Sequence, residues 1–470
     1  MRAAIDTLFT KMYQERPITG RSFYCLCGGL KTTLFLGYNE KMIDIKLLRE
    51  KPEEVKKAIA TKQADPKLVD DFLSLDDAWR KTVNEIDLLR AKQKRAGDER
   101  KIDEAKKLKE EIKNLEENLR GLDSARTETL KKIPNLPLDT VPIGKDDSQN
   151  ITLREVGKKP AFDFPHKNYL DLANTLGIID TDRAGKVSGS RFGYLLGDMV
   201  KLELGLLQFA IDVLTDSKII KKIIKKNKLS VSGTAFIPVL PPVLVKKEMM
   251  VGMGYVERGE DEIYYLEKDN LYLIATSEQS IGPMHSGEIL LEENLPRRYV
   301  GFSTCFRREA GSYGKDTKGI LRVHQFDKSE MFSITKPELA AEEHKLLLAI
   351  EEYLMQQLEL RYRVLDICTG DLGDPAAAKY DIETWMPGEN DGKGNYRETH
   401  STSNTTDFQS RRLNIRFKNK DGKSEYVYML NGTVFSGRPM IAILENYQQK
   451  DGSIKVPKVL QKYVGKKIIG

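Results

Sequence analysis

Between residue 67 and about residue 131, apolar residues recur at intervals of three and four positions in two separate series. The first series is Leu68, Phe72, Leu75, Trp79, Ile86 and Leu89, with Thr82 in its one gap, and the second is Ala105, Leu108, Ile112, Leu115, Leu119 and Leu122. Such spacing buries one stripe of a helix against a partner helix. Gly97 and Asp98 separate the series, and the prolines in 133–137 end the second one. The pattern predicts an antiparallel hairpin of two helices, each about 30 residues and about 45 Å long.

The pattern changes after about residue 150. Helical stretches such as 190–214 alternate with short strands, glycine turns and prolines. Residues 413–417 alternate in polarity, Asp421 and Gly422 follow, and 425–429 read as a second strand, which together predict a β-hairpin. Because helical stretches and hairpins are segregated, we predict an α+β fold with an antiparallel sheet. The sequence contains no P-loop lysine motif and no nucleotide-binding GxGxxG motif.

Residues 1–41 differ from the rest of the chain. They carry scattered basic residues without a clear period, and they lack the long apolar core of a secretion signal. The acids Asp6, Glu15 and Glu40 disfavour a mitochondrial presequence. We therefore predict an unassigned leader at 1–41, either disordered or a non-native start. We predict an arm domain at 42–150 and a second, larger domain at 151–470.

Composition narrows the class of protein. Hydrophobic residues make up 40% of the chain and charged residues 31%, which is typical of a soluble globular protein. No apolar run approaches the roughly 18 residues of a membrane span. The four cysteines form no disulfide framework and no paired zinc-binding spacing, so we predict a reducing, cytoplasmic location. The net charge of +6 is a weak indication of a polyanionic partner.

Basic residues gather near the predicted tip of the hairpin. Acidic residues are interleaved with them, so a solvated helix surface is the ordinary interpretation. A phosphate-binding arm is the alternative, and it gives a purpose to an arm that is too thin to hold a pocket. We therefore predict RNA binding at Arg90, Lys92, Lys94, Arg95, Arg100 and Lys101.

Three clusters in the second half carry candidate chemistry. In the first, Arg307 follows a predicted strand and precedes a glycine- and lysine-rich loop; an arginine fork matches phosphate oxygens. In the second, Arg438 stands at the entrance of an apolar helix, where phosphate is favoured. The third comprises carboxylates and hydroxyls at 276–278, Glu330 and 398–401, which can hold Mg²⁺ or an amino group. Each cluster alone is also compatible with ordinary surface residues. The five histidines have no metal-ligand spacing, and we assign none of them to zinc.

In their order along the chain and in their amino acids, these clusters resemble those of the seryl-tRNA synthetases of the class II superfamily. The resemblance extends from Met42 to the end of the chain. The first class II motif would run from 187–192 to 236–242. The most specific strings are CFRREAGSYGKDTKGILRVHQFDKSEMF, STSNTTDFQSRR and AILENYQ. The common Cys-x-x-Cys of the second string is Thr402 and Thr405 here, which disfavours a metal at that place.

The resemblance implies roles for individual residues. Arg307 would bridge the ATP α-phosphate and the serine carboxylate, and Arg438 would be the second catalytic cation. Phe326 would stack on adenine, with Arg438 on the other face. The implied serine site is Thr276, Ser277, Glu278, Arg307, Glu330 and Thr433. The implied ATP site is Arg307, Arg308, Glu309, Phe326, Glu398, Thr399, His400, Ser401 and Arg438, with Mg²⁺ on Glu398 and Ser401. The stretch 431–438 is one residue shorter than is usual in the family, which bears on Thr433.

The resemblance further implies a reaction and its partners. Serine and ATP would give seryl-adenylate, and the seryl group would pass to the 3′ end of tRNA(Ser), with tRNA(Sec) as an open alternative. A homodimer is also implied. Three rivals remain: an RNA-binding protein that no longer catalyses, a paralogue that loads a carrier protein, and a synthetase for another amino acid. Intact Arg307, Glu309, Glu330 and Arg438 disfavour the first, and the long arm disfavours the second. The third is disfavoured because no anticodon-binding domain follows the last motif.

Overall fold

A computed structural model of the chain describes residues 43–256, 260–310 and 318–470. The prediction of a leader at 1–41 lies outside the described residues. The numbered helices are α1 (Ile45–Glu50), α2 (Pro52–Thr61), α3 (Lys67–Asp98), α4 (Ile102–Lys131), α5 (Tyr169–Leu176), α6 (Thr181–Ser188), α7 (Asp198–Thr215), α8 (Ser217–Asn227), α9 (Lys247–Met253), α10 (Glu278–Ile281), α11 (Ala340–Gln357), α12 (Phe408–Leu413), α13 (Gly437–Asn446) and α14 (Gln461–Val464). A further helical turn at Glu389–Gly392 is interrupted by left-handed residues and is left unnumbered.

The strands fall into one large sheet and several small ones. The large sheet contains β1 (Ile151–Val156), β4 (Ile237–Val239), β9 (Arg297–Phe306), β10 (Gln325–Thr335), β11 (Tyr362–Asp366), β12 (Ala378–Met386), β13 (Asn395–Asn404) and β16 (Tyr428–Phe435). The short strands are β2 (Ile179–Asp180), β3 (Tyr194–Leu195), β5 (Leu244–Lys246), β6 (Tyr265–Leu266), β7 (Leu271–Leu273), β8 (Ile289–Leu291), β14 (Arg416–Lys418), β15 (Ser424–Tyr426), β17 (Ile454–Lys455) and β18 (Ile468–Ile469).

Helices α3 and α4 form the predicted hairpin, called the arm below. Ile86 and Leu89 are buried against Ile112, so the apolar stripe closes the seam as the spacing indicated. The turn comes slightly later than predicted, because α3 continues through Gly97 and Asp98. The chain reverses at 99–101, where Arg100 has a left-handed backbone with φ of 60°.

The large sheet confirms the predicted α+β class. Its strand order is β1-β11-β12-β13-β16-β10-β9-β4. All neighbours pair antiparallel except β4, which runs parallel to β9 at the edge. Helix α11 packs against one face of the sheet and is buried along most of its length, because apolar residues occupy both its inner face and its flanks. The other face of the central strands is therefore left to carry polar side chains.

Two predicted boundaries were wrong. The helix placed at 190–214 begins at Asp198, because Tyr194 and Leu195 pair with Ile179 and Asp180 in a two-stranded ribbon. The strand predicted from Leu413 begins at Arg416, since Leu413 ends helix α12 and packs into a buried apolar cluster. The hairpin between β14 and β15 is confirmed. Among the described helices, none is both long and apolar enough to cross a membrane.

Candidate active site

A cavity of about 730 Å³ opens over the central strands of the large sheet. The strands β13, β16 and β10 are consecutive neighbours in the sheet, and residues of all three point into one space. Arg307, which directly follows β9, also lines it. The other walls come from the loop after β7, the start of α13 and the segments 262–263 and 320–323. The predicted site residues that line the cavity are Thr276, Glu278, Arg307, Glu309, Phe326, Glu330, Glu398, Thr399, Ser401, Thr433 and Arg438.

Three predicted site residues do not line the cavity. Arg308 is turned away from it: its Nε donates to the Ile263 carbonyl at 3.0 Å, and its guanidinium lies 5.1 Å from the Tyr264 ring. His400 is buried on the opposite face of β13, as strand alternation requires, and burial lowers its pKa to about 4. Ser277 is fully buried between the cavity residues on either side of it. The structure thus places these three residues outside the cavity lining, and their roles stay predictions.

The floor of the cavity brings two predicted serine-site residues face to face. Glu330 of β10 is directly opposite Thr433 of β16, and the register between the strands shifts beside this pair. The Lys328 ammonium forms an ion pair with Glu330 and lies 3.3 Å from the Thr276 hydroxyl. Glu330 is 1% exposed, and burial raises the pKa of its carboxyl although Lys328 and Arg307 oppose that rise. The structure therefore places Thr433 in the cavity despite the short stretch that follows it.

A second carboxyl lies beside this floor. Glu278 accepts a hydrogen bond from the Tyr255 hydroxyl and is buried. Burial raises the pKa of Glu278, and the nearby Glu330 charge raises it further. Two buried carboxyls beside the single ammonium of Lys328 can hold a further small cation such as an ammonium group, because a cation would offset both their burial and their repulsion.

Arg307 stands between this floor and the rest of the cavity. Its backbone pairs with His324, with the Arg307 N–H donating to the His324 carbonyl at 3.0 Å, so the return strand holds it in place. Its guanidinium lies 5.2 Å from the Phe326 ring, and its Nε is 3.4 Å from the Ala275 carbonyl. Most of its fork remains directed at the cavity, where it can meet a carboxylate or phosphate.

The other end of the cavity is built from Arg438 and Glu398. Arg438 lies in the first turn of α13, and its Nη1 donates to the Glu398 carbonyl oxygen at 2.8 Å and to its carboxylate at 3.2 Å. The surrounding protein would raise the pKa of Glu398, but Arg438, Lys379 and Arg307 bring it below its ordinary value. Glu398 is therefore a carboxylate, and its half-exposed side chain faces the cavity.

Several cavity residues were missed from the sequence. Tyr255, Gln279, Lys328, Ser403 and Asn431 all line it. Lys328 and Ser403 carried a usable signal, because they lie two residues from the predicted Glu330 and Ser401 on the same strands and so on the same faces. Tyr255 carried none, since it comes from a loop distant in the sequence.

The comparisons with known proteins agree with this geometry. Residues 42–137 match the family described as the seryl-tRNA synthetase N-terminal domain, and residues 264–447 match the tRNA synthetase class II core domain (G, H, P, S and T). The serine--tRNA ligase of Thermobifida fusca is 43% identical over 438 residues, which cover 91% of this chain and 99% of that protein. The chain belongs to the serine--tRNA ligase family.

Solved structures of the family superpose on this chain. The crystal structure of seryl-tRNA synthetase from Pyrococcus horikoshii complexed with ATP gives a TM-score of 0.81 at 41% identity, covering 91% of this chain and 99% of that one. The cytoplasmic serine-tRNA ligase from Naegleria fowleri in complex with AMP gives 0.79 at 34% identity, covering 91% and 98%. This serine--tRNA ligase family chain thus shares its fold with relatives solved with adenine nucleotides.

Proposed function

We propose that the cavity over β9, β10, β13 and β16 is the site at which this chain activates serine with ATP. As a member of its family, the chain is an ATP-dependent ligase that joins serine to tRNA. One observation carries the assignment of the site: buried carboxyls, an arginine fork and an exposed carboxylate line one cavity in that order. Serine is a small zwitterion and ATP is a polyanion, so the cavity offers each of them complementary charge.

The order of charges suggests where each reactant binds. Glu278 and Glu330 would hold the serine ammonium, and Thr433 lies opposite Glu330, where a serine hydroxyl could be read. Arg307 would then meet the serine carboxylate and the α-phosphate together. The carboxylate attacks the α-phosphorus, the bond to pyrophosphate breaks, and seryl-adenylate forms. Because both reactants are anionic at the reacting centre, fixed cations such as Arg307 and Arg438 lower the barrier.

Mg²⁺ fits the ATP end of the cavity. Glu398 is a carboxylate that faces the cavity, and Ser401 adds a hydroxyl from the same strand, which are the hard oxygen donors that Mg²⁺ prefers. Within the part of the chain that the structure describes, no group of three acidic, histidine or cysteine side chains could hold a metal alone. We propose that Glu398 and Ser401 hold Mg²⁺ together with ATP phosphates. When bound, the ion would neutralise phosphate charge during the displacement.

The arm is the proposed binding surface for tRNA. Its tip residues are exposed; Arg90 pairs with Glu116 at 2.8 Å and Lys101 pairs with Glu99 at 2.7 Å. Among the described residues, the other four, Lys92, Lys94, Arg95 and Arg100, have no salt-bridge partner. Because proteins recognise double-stranded RNA mostly through its shape and its phosphate backbone, a helical rod with cations that lack ion-pair partners is a suitable binding surface for RNA.

Such recognition does not depend on the anticodon, so tRNA(Sec) is proposed beside tRNA(Ser) as an acceptor, and charging both would test this.

A homodimer is proposed from an apolar surface. Many of the exposed large hydrophobic residues fall between residues 187 and 244, and Leu240 is 81% exposed. Soluble chains rarely leave such a set uncovered, and a second copy is the commonest cover. The set is Val187, Tyr194, Leu196, Val200, Leu204, Ile237, Leu240 and Leu244.

We also propose a cytoplasmic location, which the free thiols of the described Cys305 and Cys368 support.

Amino-acid-dependent exchange between ATP and pyrophosphate tests the proposal. We expect exchange with serine and none of comparable rate with the other nineteen amino acids. Exchange with a different amino acid would overturn the serine assignment. No exchange at all, with tRNA still bound, would favour the rival protein that binds RNA without catalysis. Transfer of serine to a carrier protein instead of tRNA would favour the remaining rival.

A further inference from the structure

A buried lysine joins the base of the arm to the catalytic half. Lys62 directly follows α2 and is 4% exposed. Its Nζ donates towards four carbonyl oxygens, those of Asn135 at 3.1 Å, Gly373 at 2.9 Å, Asp374 at 3.0 Å and Ala376 at 3.0 Å. A lysine has three N–H donors, so at least one donor is shared. One side chain thus satisfies buried carbonyls from two segments far apart in the sequence.

Asn135 makes a matching set of contacts from the segment that leaves α4. Its backbone N–H donates to the Asp374 carbonyl at 2.9 Å. Its Nδ2 donates to the Pro375 carbonyl at 2.8 Å and to the Thr405 carbonyl at 2.8 Å. The short loop 373–376, between β11 and β12, therefore accepts hydrogen bonds both from Lys62, which precedes the arm, and from Asn135, which follows it. We call Lys62, Asn135 and the loop 373–376 the latch.

A buried ion-pair network joins α3 to α1 and α4 above the latch. Asp76 of α3 is fully buried and accepts from Arg49 of α1 at 2.8 Å and from Arg126 of α4 at 2.9 Å. Arg126 also lies 4.2 Å from the Trp79 ring. Since these contacts tie three helices together below the tip, a change of angle at the latch would be carried along the whole arm.

We propose that Lys62 is a positioning residue that fixes the direction of the arm, so that tRNA held by the arm presents its 3′ end to an active site. This inference rests on the proposed binding of tRNA by the arm. Helix α3 has 32 residues and is about 48 Å long. A rotation of about 5° at its base moves its tip by about 4 Å. Displacements of this size are large compared with the distances that matter for group transfer.

Substitution of Lys62 separates this role from tRNA binding and from activation. In the full chain, Lys62→Gln should lower aminoacylation kcat/KM for tRNA by about 10-fold. Serine-dependent pyrophosphate exchange should stay within about twofold, because the cavity is untouched. The salt dependence of tRNA binding should keep its slope, because the number of phosphate contacts is unchanged. Lys67→Gln is the matched control, since Lys67 is an exposed lysine near the same base with only a 3.5 Å pair to Asp71.

A second variant covers the case in which Lys62→Gln does not fold. Gln63 is exposed, and its Nε2 donates to the Lys145 carbonyl at 2.6 Å and to the Gly370 carbonyl of the catalytic half at 3.3 Å. Its backbone is left-handed with φ of 59°, which asparagine tolerates, so Gln63→Asn shortens the side chain without straining the chain. We expect a smaller loss of aminoacylation of the same kind, again with exchange preserved.

The outcomes distinguish this inference from the proposed function. Equal losses of exchange and aminoacylation would show that Lys62 only supports the fold, and unchanged aminoacylation in both variants would also overturn the inference. Deletion of residues 90–108 is the reference. If that deletion weakens tRNA binding while the latch variants charge tRNA normally, the latch inference alone fails. If the deletion leaves tRNA affinity unchanged, the proposed role of the arm fails and the latch inference fails with it.

Discussion

Arg307 and Arg308 are adjacent in the chain and have different surroundings. Arg307 faces the cavity beside Phe326, whereas Arg308 donates to a backbone carbonyl and lies over Tyr264. We expect Arg307→Ala to lower serine-dependent exchange by at least about 100-fold, the usual effect of losing a donor aimed at developing charge. Arg308→Ala should stay within about tenfold. Circular dichroism should show both variants folded; near-normal exchange in folded Arg307→Ala would contradict the assignment.

The carboxyls of the serine pocket predict a pH dependence. Burial raises the pKa of both Glu278 and Glu330 in the structure without ligand. The ionised forms attract the serine ammonium, so KM for serine should rise as the pH falls through the raised pKa of Glu278, which is about 7. Steady-state exchange at several pH values measures the effect, and Glu278→Gln should flatten it; a KM independent of pH would refute it.

The alternation of side chains along a β-strand explains which of the predicted site residues line the cavity and which do not. Motif resemblance supplied Arg307, Glu330 and Arg438, which all line the cavity. The predicted site also included neighbours such as His400. The structure places His400 on the opposite face of β13, because side chains alternate along a strand. Tyr255 could not be predicted because its position depends on a loop that meets Glu278 only in the folded chain.

At the scale of helices and strands, sequence patterns predicted those elements whose partners lie close by in the sequence. The repeat of apolar residues predicted α3 and α4, because the two helices of a hairpin pack against each other along one apolar stripe. The buried Asp76 was not predicted, since an acid within the seam normally indicates an exposed position and its partners come from α1 and α4. The strand order of the large sheet was likewise out of reach, because it joins β1 to β11 across about half the chain.

Deletion of the upper arm tests the element as a whole. Removing 90–108 and closing the hairpin with a short turn keeps Leu89 and Ile112, which pack against each other. Exchange should survive nearly intact, because no cavity residue precedes residue 255. Aminoacylation should fall sharply through weaker tRNA binding, and the salt slope should drop by about one unit per lost phosphate contact. Replacing Lys92, Lys94, Arg95 and Arg100 with glutamine should reproduce the drop without shortening the arm. Unchanged tRNA affinity would make the arm a spacer.

At the scale of the whole molecule, the proposed dimer raises the question of which active site an arm serves. The upper arm has an apolar cluster of its own, made only of residues of α3 and α4. It is thus a self-contained rod that can extend to a neighbouring subunit, and its direction is set at the latch. We expect the arm of one subunit to hold the tRNA that is charged in the cavity of the other.

Mixed dimers decide between the two arrangements. One parent lacks residues 90–108 and keeps its cavity; the other carries Arg307→Ala and keeps its arm. Neither parent should aminoacylate well alone. If an arm serves the partner's cavity, the mixed dimer pairs the intact arm of one subunit with the intact cavity of the other, and activity returns with one working site per dimer. If an arm serves its own cavity, every mixed dimer stays inactive, because no subunit has both parts. A third parent with both changes in one chain, mixed with the wild type, should give the opposite pattern: the mixed dimer keeps one complete site if an arm serves its own cavity, and none if an arm serves the partner's cavity.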